Sequence, residues 1–148
     1  MISLPLHEVQ LQLRANSAGQ PTVFDPVRKR WFVLTPEEHV RQLLLSYLLH
    51  TMRYPASLIA VERTLNAGEI ARRFDVVVYG RDHKPWLLIE CKAPEVPITE
   101  ASFHQLLSYQ RHLGARYWIL CNGIDTLCAD ATDPVAPHWL ADLPAYEL

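Results

Sequence analysis

Two short apolar runs with charges set inside them constrain this 148-residue chain more than any other feature. Arg73-Phe74-Asp75-Val76-Val77-Val78-Tyr79 holds one carboxylate within a hydrophobic stretch, and Leu87-Leu88-Ile89-Glu90-Cys91-Lys92 holds a Glu and a Lys within another. Side chains alternate across a β-strand, so Leu88, Glu90 and Lys92 share one face while Ile89 and Cys91 point to the other. The turn residues Gly80-Arg81-Asp82-His83 between the runs predict a hairpin that brings Asp75 close to Glu90 and Lys92. Burying two carboxylates and an ammonium without partners costs several kcal/mol per ion. A divalent cation offsets that cost, and oxygen-rich carboxylate sites suit Mg²⁺ or Mn²⁺. Spacing alone leaves two readings open, a catalytic centre or a buried structural ion network. Interruption of both apolar strands, with Pro94 ending the second just past the lysine, favours the first.

The rest of the chain places these runs in a fold. Residues 22–24 and 31–34 read as two strands around the turn Asp25-Pro26-Val27-Arg28, an N-terminal β-hairpin within an extension covering residues 1–34. Thr35-Pro36-Glu37-Glu38 is a helix start: Thr35 can cap, Pro36 takes the first helical position, and Glu38 falls at the capping-box position. Val40, Leu44 and Leu48 then recur in helical register to about Met52, with Leu43, Tyr47 and Leu49 widening the apolar face. Three strands are expected over residues 57–65, 70–79 and 85–92, forming an antiparallel meander because their turns are short. Thr99-Glu100 opens a second helix carrying Phe103, Leu106, Leu107, Gln110 and Leu113 on one side and stopping at Gly114. Residues 116–121 and 126–129 read as further strands, the first pairing parallel to a core strand by a right-handed crossover. Residues 131–148, rich in Pro, Ala and Asp, read as an irregular tail. The expectation is a single α/β domain, core about 35–130, with a mixed β-sheet flanked by helices.

Composition narrows the class without naming a function. Hydrophobic residues make up 49% and charged residues 20%, a globular balance. The longest apolar runs are far shorter than a membrane span, and the start lacks the features of a signal peptide, so the expectation is no membrane and a cytoplasmic setting. Cys91, Cys121 and Cys128 lie in apolar runs and read as reduced core thiols rather than a disulfide or metal site. Net charge is −2, which gives no global basic field for nucleic acid. The distribution is more suggestive: only Lys29, Lys84 and Lys92 among the 14 basic residues are lysines, and the arginines that make up the rest suit bidentate phosphate contacts. The histidines are scattered without ligand spacing, and there is no Gly-rich phosphate loop or Ser nucleophile elbow.

The run from Arg73 to Tyr79, with Leu88-Ile89-Glu90-Cys91-Lys92-Ala93-Pro94, resembles the PD-(D/E)XK nuclease superfamily. More narrowly it is similar to the N-terminal nuclease domain of type I restriction enzyme R subunits. The resemblance runs from about Thr35 to Gly123 and includes Gln105-Leu106-Leu107-Ser108-Tyr109, similar to the Gln-x-x-x-Tyr element of that branch. Two departures stand out: Phe74 precedes the Asp where the superfamily often has Pro, and no helicase motor follows in this sequence.

The resemblance implies a restriction-endonuclease-like fold and a Mg²⁺- or Mn²⁺-dependent DNA endonuclease hydrolysing phosphodiester bonds. Asp75 and Glu90 then hold the metal, with the backbone carbonyl of Cys91 completing the site. Lys92 positions the attacking water and stabilises charge on the phosphate. Glu38 matches the acidic residue that the family's first helix often contributes; a capping role for the same side chain competes with that one. Gln105 and Tyr109 share a helix face that looks toward the site in the family, with Ser102 and His112 near them, against the alternative of a plain solvated face. Arg72 and Arg73 are candidate DNA-binding residues. Glu62, in the strand before, reads as a structural partner for an arginine such as Arg73. The implied partners are DNA and either a second copy in a homodimer or partner restriction or repair subunits. Two other readings remain: a non-catalytic nucleic-acid-binding or assembly module that keeps the nuclease fold, and a regulatory protein whose Asp–Glu–Lys cluster is only an ion network.

Overall fold

A six-stranded mixed sheet carries the two charged strands at its centre, with a smaller three-stranded sheet before it. The computed structural model describes residues 1–110, 113–133 and 135–146, without the side chains of Ala67, Ile70 and residues 108–110. Strands β1 (Leu13–Ala15), β2 (Pro21–Asp25) and β3 (Arg30–Val33) form the small antiparallel sheet. Helix α1 (Pro36–Ser46) follows and runs on as a π-helical turn over Tyr47–Thr51. Then come β4 (Ile59–Ala67), β5 (Ile70–Tyr79), β6 (Pro85–Cys91), α2 (Glu100–Gln110), β7 (Tyr117–Cys121), β8 (Thr126–Asp130) and β9 (His138–Trp139). These strands line up in sequence order in the large sheet; β6 and β7 are parallel and every other neighbouring pair is antiparallel.

The helices form where the local chemistry expects them. Thr35 caps α1, its hydroxyl accepting the Glu38 N–H, with Pro36 at the start. Thr99 and Ser102 open α2 reciprocally, each backbone N–H donating 3.0 Å to the other's hydroxyl. α1 buries Val40, Leu44 and Leu45, and the π-helical turn after it Leu48, on one face of the sheet, against Val76, Val78, Ile89, Cys91, Ile119 and Cys128. α2 buries Phe103 and Leu107 on the other, against Phe74, Val77, Leu88, Trp118 and Leu120. The expected mixed sheet with helices on both faces is therefore the observed fold, and it is the α/β restriction-endonuclease-like architecture. All three cysteines are free and buried.

Three expectations need correction. The N-terminal extension is more than a hairpin: β1 adds a third strand, and Ile2 pairs with Thr126, reaching the core sheet. β4 starts later than residue 57, because Ala56–Leu58 make a 3₁₀ turn. The tail is not irregular throughout. His138–Trp139 adds an edge strand to β8, Leu143 is buried, and Tyr146 packs its ring 5.0 Å from that of Trp86 and donates to Tyr79 O at 3.0 Å.

Candidate active site

The site lies where β5 and β6 part. Their ladder pairs Val76 with Ile89 and Val77 with Leu88, and it stops before Asp75 and Glu90 can pair. The Cys91 N–H instead donates to Asp75 Oδ2 at 2.8 Å, so the carboxylate takes the place of a ladder carbonyl. On the opposite side the β4–β5 ladder steps over Glu62 and Asp75, and Glu62 sits at φ 54°. A left-handed φ in a non-glycine strand residue is uncommon and marks a local distortion. Its effect shows in the packing: Phe74 joins the α2-side core while Val76 and Val78 join the α1 side, so regular alternation breaks at Asp75. Asp75 consequently faces the gap between strands, open to charges from both sides of the sheet.

Glu90 and Lys92 follow the period-two expectation. Both line a cleft of about 260 Å³ on the α2 side, with Arg72, Val96, Ile98, Ser102, Gln105 and Leu106 among its walls. The Lys92 N–H donates to Cys121 O at 2.8 Å, which fixes its backbone at the strand end while its side chain stays exposed. Asn122, buried after β7, donates 2.9 Å to Val96 O and pins the loop that forms the cleft's rim.

Electrostatics distinguish the two carboxylates. Burial pushes the Glu90 carboxyl up to about 7, and the Asp75 charge adds to that, against the opposing charges of Arg72 and Lys92. The nearest cation to Glu90, Arg72 Nη2, stands 3.9 Å from Oε2. Among the described residues, Glu90 Oε1 is the one buried side-chain polar atom without a hydrogen-bond partner. Burial also raises the Asp75 carboxyl, opposed by the Cys91 N–H and by Arg41 and Lys92.

Glu38 is placed differently from the expectation. Its Oε1 accepts from Arg28 Nη2 at 2.8 Å and Arg41 Nη2 at 2.9 Å, and its Oε2 accepts from Arg41 Nε at 2.7 Å. Neither competing role holds for that carboxylate: arginines occupy it, and only its backbone N–H takes part in the cap. Burial raises the Glu38 carboxyl, but Arg41 and then Arg28 outweigh this and hold it below the usual range. Arg41 in turn donates to Asp75 Oδ1 at 2.9 Å.

The remaining expected residues divide. Gln105 lies at the cleft with Glu90 and Lys92. The side chain of Tyr109, and all of His112, lie outside the described residues. Leu106 is half-buried at the cleft wall rather than packed fully inward. Arg72 lines the cleft, whereas Arg73 is exposed and stands 3.9 Å from Glu62, the structural pairing expected for that acid. Two residues escaped the sequence reading, Arg41 and the fully buried Asp25. The signal for Arg41 was a stripe on a core-facing helix: Glu38, Arg41, Gln42 and Leu45 recur at i, i+3, i+4 and i+7, and all four are buried; Asp25, in β2, had none.

A divalent cation suits this donor set. Glu90 keeps an unpartnered buried oxygen within the field of the Asp75 carboxylate, and Mg²⁺ commonly uses one or two carboxylates while retaining several waters. A closed cage is not built here, since among the described residues no three His, Cys, Asp or Glu side chains group to hold a metal.

The fold is that of a restriction-endonuclease-like protein, with Asp75, Glu90 and Lys92 gathered where its two central strands diverge. Residues 36–144 match the type I restriction enzyme R protein N terminus (HSDR_N), and the chain belongs to that family. No curated protein matches the sequence closely enough to count as a relative. Among the described residues no helix is long and apolar enough to cross a membrane.

Proposed function

We propose that the chain is a divalent-metal-dependent nuclease that hydrolyses phosphodiester bonds in DNA, working in the cytoplasm alone, as a homodimer or with partner restriction or repair subunits. The observation that carries this reading is Glu90: a buried carboxylate with an unpartnered oxygen, beside Asp75, opening on a cleft that also holds Lys92. Such a group is costly to keep unless a cation partners it.

Asp75 and Glu90 are the proposed metal-binding carboxylates, with the Cys91 carbonyl as a third oxygen; Glu38, engaged by two arginines, supports them from behind. A bound Mg²⁺ or Mn²⁺ supplies Lewis acidity toward a phosphate oxygen and lowers the pKa of a bound water. The Lys92 ammonium, free to reach into the cleft, orients the attacking water and places positive charge beside the phosphate oxygens as negative charge builds there. Gln105, with Tyr109 one helical turn on, orients the substrate, and Arg72 and Arg73 contact flanking phosphates.

One observation favours a second reading, a non-catalytic nucleic-acid-binding or assembly module. Asp75 is satisfied without any metal, by Arg41 and the Cys91 N–H. Cleavage of plasmid, single-stranded and branched DNA with Mg²⁺ or Mn²⁺ separates the two. The nuclease reading expects metal-dependent cleavage by wild type and none by Lys92→Ala. Equal cleavage by both proteins, or none by wild type on any DNA form, sinks it.

A further inference from the structure

Arg41 connects the small N-terminal sheet to the candidate metal site through an unbroken run of short ion pairs. The β2–β3 turn begins it: Asp25, fully buried, accepts the Val27 and Arg28 N–H groups at 2.8 Å each, and also Arg28 Nε and Gln42 Nε2 at 2.8 Å. Arg28 places its guanidinium carbon over Phe32, 3.4 Å from the ring centre, and grips Glu38 at 2.8 Å. Glu38 takes Arg41 in a two-point fork at 2.7 and 2.9 Å, and the remaining Arg41 nitrogen reaches Asp75 Oδ1 at 2.9 Å and Glu62 Oε1 at 3.3 Å. Asp25 and Arg28 precede the family-matched segment 36–144; the other members lie within it.

This arrangement constrains Asp75 in a specific way. One oxygen is held from α1 by Arg41 and the other from β6 by the Cys91 N–H, which fixes the plane of the carboxylate. An ionised carboxylate has about four acceptor positions, so two stay available to a further ligand. Residues that hydrogen-bond to ligating carboxylates orient them and tune the metal. Resting on the metal-site reading above, we propose that Arg41 is a positioning residue: its guanidinium, braced by Glu38 and Arg28, holds Asp75 in register with Glu90 and so sets the site's affinity for a divalent cation.

The competing account makes Arg41 a stabilising ion alone, or a cation that repels the metal. Charge and orientation are separable, because Arg41 and Glu38 form a neutral unit. Glu38→Gln/Arg41→Gln removes one charge of each sign and leaves the local net charge unchanged.

The experiment is calorimetric titration of the full chain with Mn²⁺ alone, with circular dichroism confirming that each variant is folded. Arg41→Gln and the double variant are both expected to bind Mn²⁺ about 10–100-fold more weakly than wild type. Arg41→Lys, which keeps the charge but cannot span Glu38 and Asp75 at once, should restore only part of that loss. If Arg41→Gln does not fold, the double variant, which leaves no unpaired buried charge between these two positions, gives the answer. Unchanged or tighter Mn²⁺ binding in the folded variants overturns the positioning role while leaving the metal site in place. Absence of Mn²⁺ binding by wild type overturns both together.

Discussion

The two faces of the central sheet treat buried charge in opposite ways, although the same strands, β5 and β6, supply both. On the α1 side Asp25, Glu38 and Asp75 accept short hydrogen bonds from Arg28, Arg41, Gln42 or backbone N–H groups, with the half-exposed Glu62 at the edge. On the α2 side Glu90 is equally buried and keeps one oxygen with no partner at all. The fold that engages three carboxylates within one network leaves one oxygen of the next without a hydrogen-bond partner, with Arg72 3.9 Å from its other oxygen. The difference separates charge that builds structure from charge held ready for a ligand. Substitutions should accordingly differ in emphasis: Glu38 on the α1 side answers first in stability, Glu90 and Lys92 on the α2 side answer in binding and turnover, and Arg41 and Asp75, where the network meets the site, answer in both.

The largest effect expected is on turnover. Lys92→Ala should lower metal-dependent DNA cleavage by at least about 100-fold, the scale for losing one charge-stabilising group. Because the side chain is exposed, the unfolding free energy measured in urea should barely move, by less than about 0.5 kcal/mol. A large stability loss in that variant would erase the contrast between the faces.

Glu38→Ala should behave in the opposite sense. It removes the carboxylate that Arg28 and Arg41 share, leaving them to Asp25 and Asp75, and breaking a buried pair from one side costs about 3–5 kcal/mol. Denaturant unfolding of the metal-free protein checks this; a loss under about 1 kcal/mol would mean the α1-side network is not structural.

The pH dependence of metal-free stability should show the α2 side. Glu90 titrates near the ordinary 4.5 in the unfolded chain and at about 7 in the folded one, so the folded state binds its proton more tightly. Its contribution is fully present below about 4.5 and is lost as pH rises through about 7, on the order of 3 kcal/mol in all. Asp75, also raised, acts with the same sign. Asp25 and Glu38 are lowered, so their contributions are lost only in acid, as pH falls below the ordinary carboxylate range. Glu90→Gln should flatten the profile between pH 5 and 7 and exceed wild type in stability at pH 8. Parallel profiles for the two proteins would contradict the raised carboxyl.

Smallest is the effect of an exposed arginine. Arg73→Ala should weaken DNA binding evenly across sequences and reduce the slope of log affinity against log salt by about 1, with little change in stability. A salt slope identical to wild type would remove Arg73 from the DNA-contacting surface.

Legibility followed the strength of the local signal. The β5–β6 hairpin could be read because two apolar runs, interrupted by Asp75, Glu90 and Lys92 and joined by a turn, leave few other arrangements, and the α1 start because Thr35-Pro36-Glu37-Glu38 is capping chemistry. β1 could not: Leu13, Arg14 and Ala15 are all exposed, so no buried face imposes an alternation. β9 is two residues among prolines, held by its pairing to β8 rather than by its own propensity. The break at Asp75 is also tertiary, since it depends on Glu62 from another strand taking a left-handed φ. Arg41 hid for a different reason. An arginine on a helix usually marks the solvated face, and only the stripe Glu38, Arg41, Gln42, Leu45 shows that this one turns inward.

The central claim is that the bare Glu90 oxygen marks a divalent-cation site, and calorimetric titration of wild type and Glu90→Gln with Mn²⁺ at pH 8 tests it most directly. Wild type should bind Mn²⁺ with a resolvable heat, and Glu90→Gln, folded and at least as stable, should lose that binding. Equal binding by the two proteins, or no binding by wild type, would contradict the account.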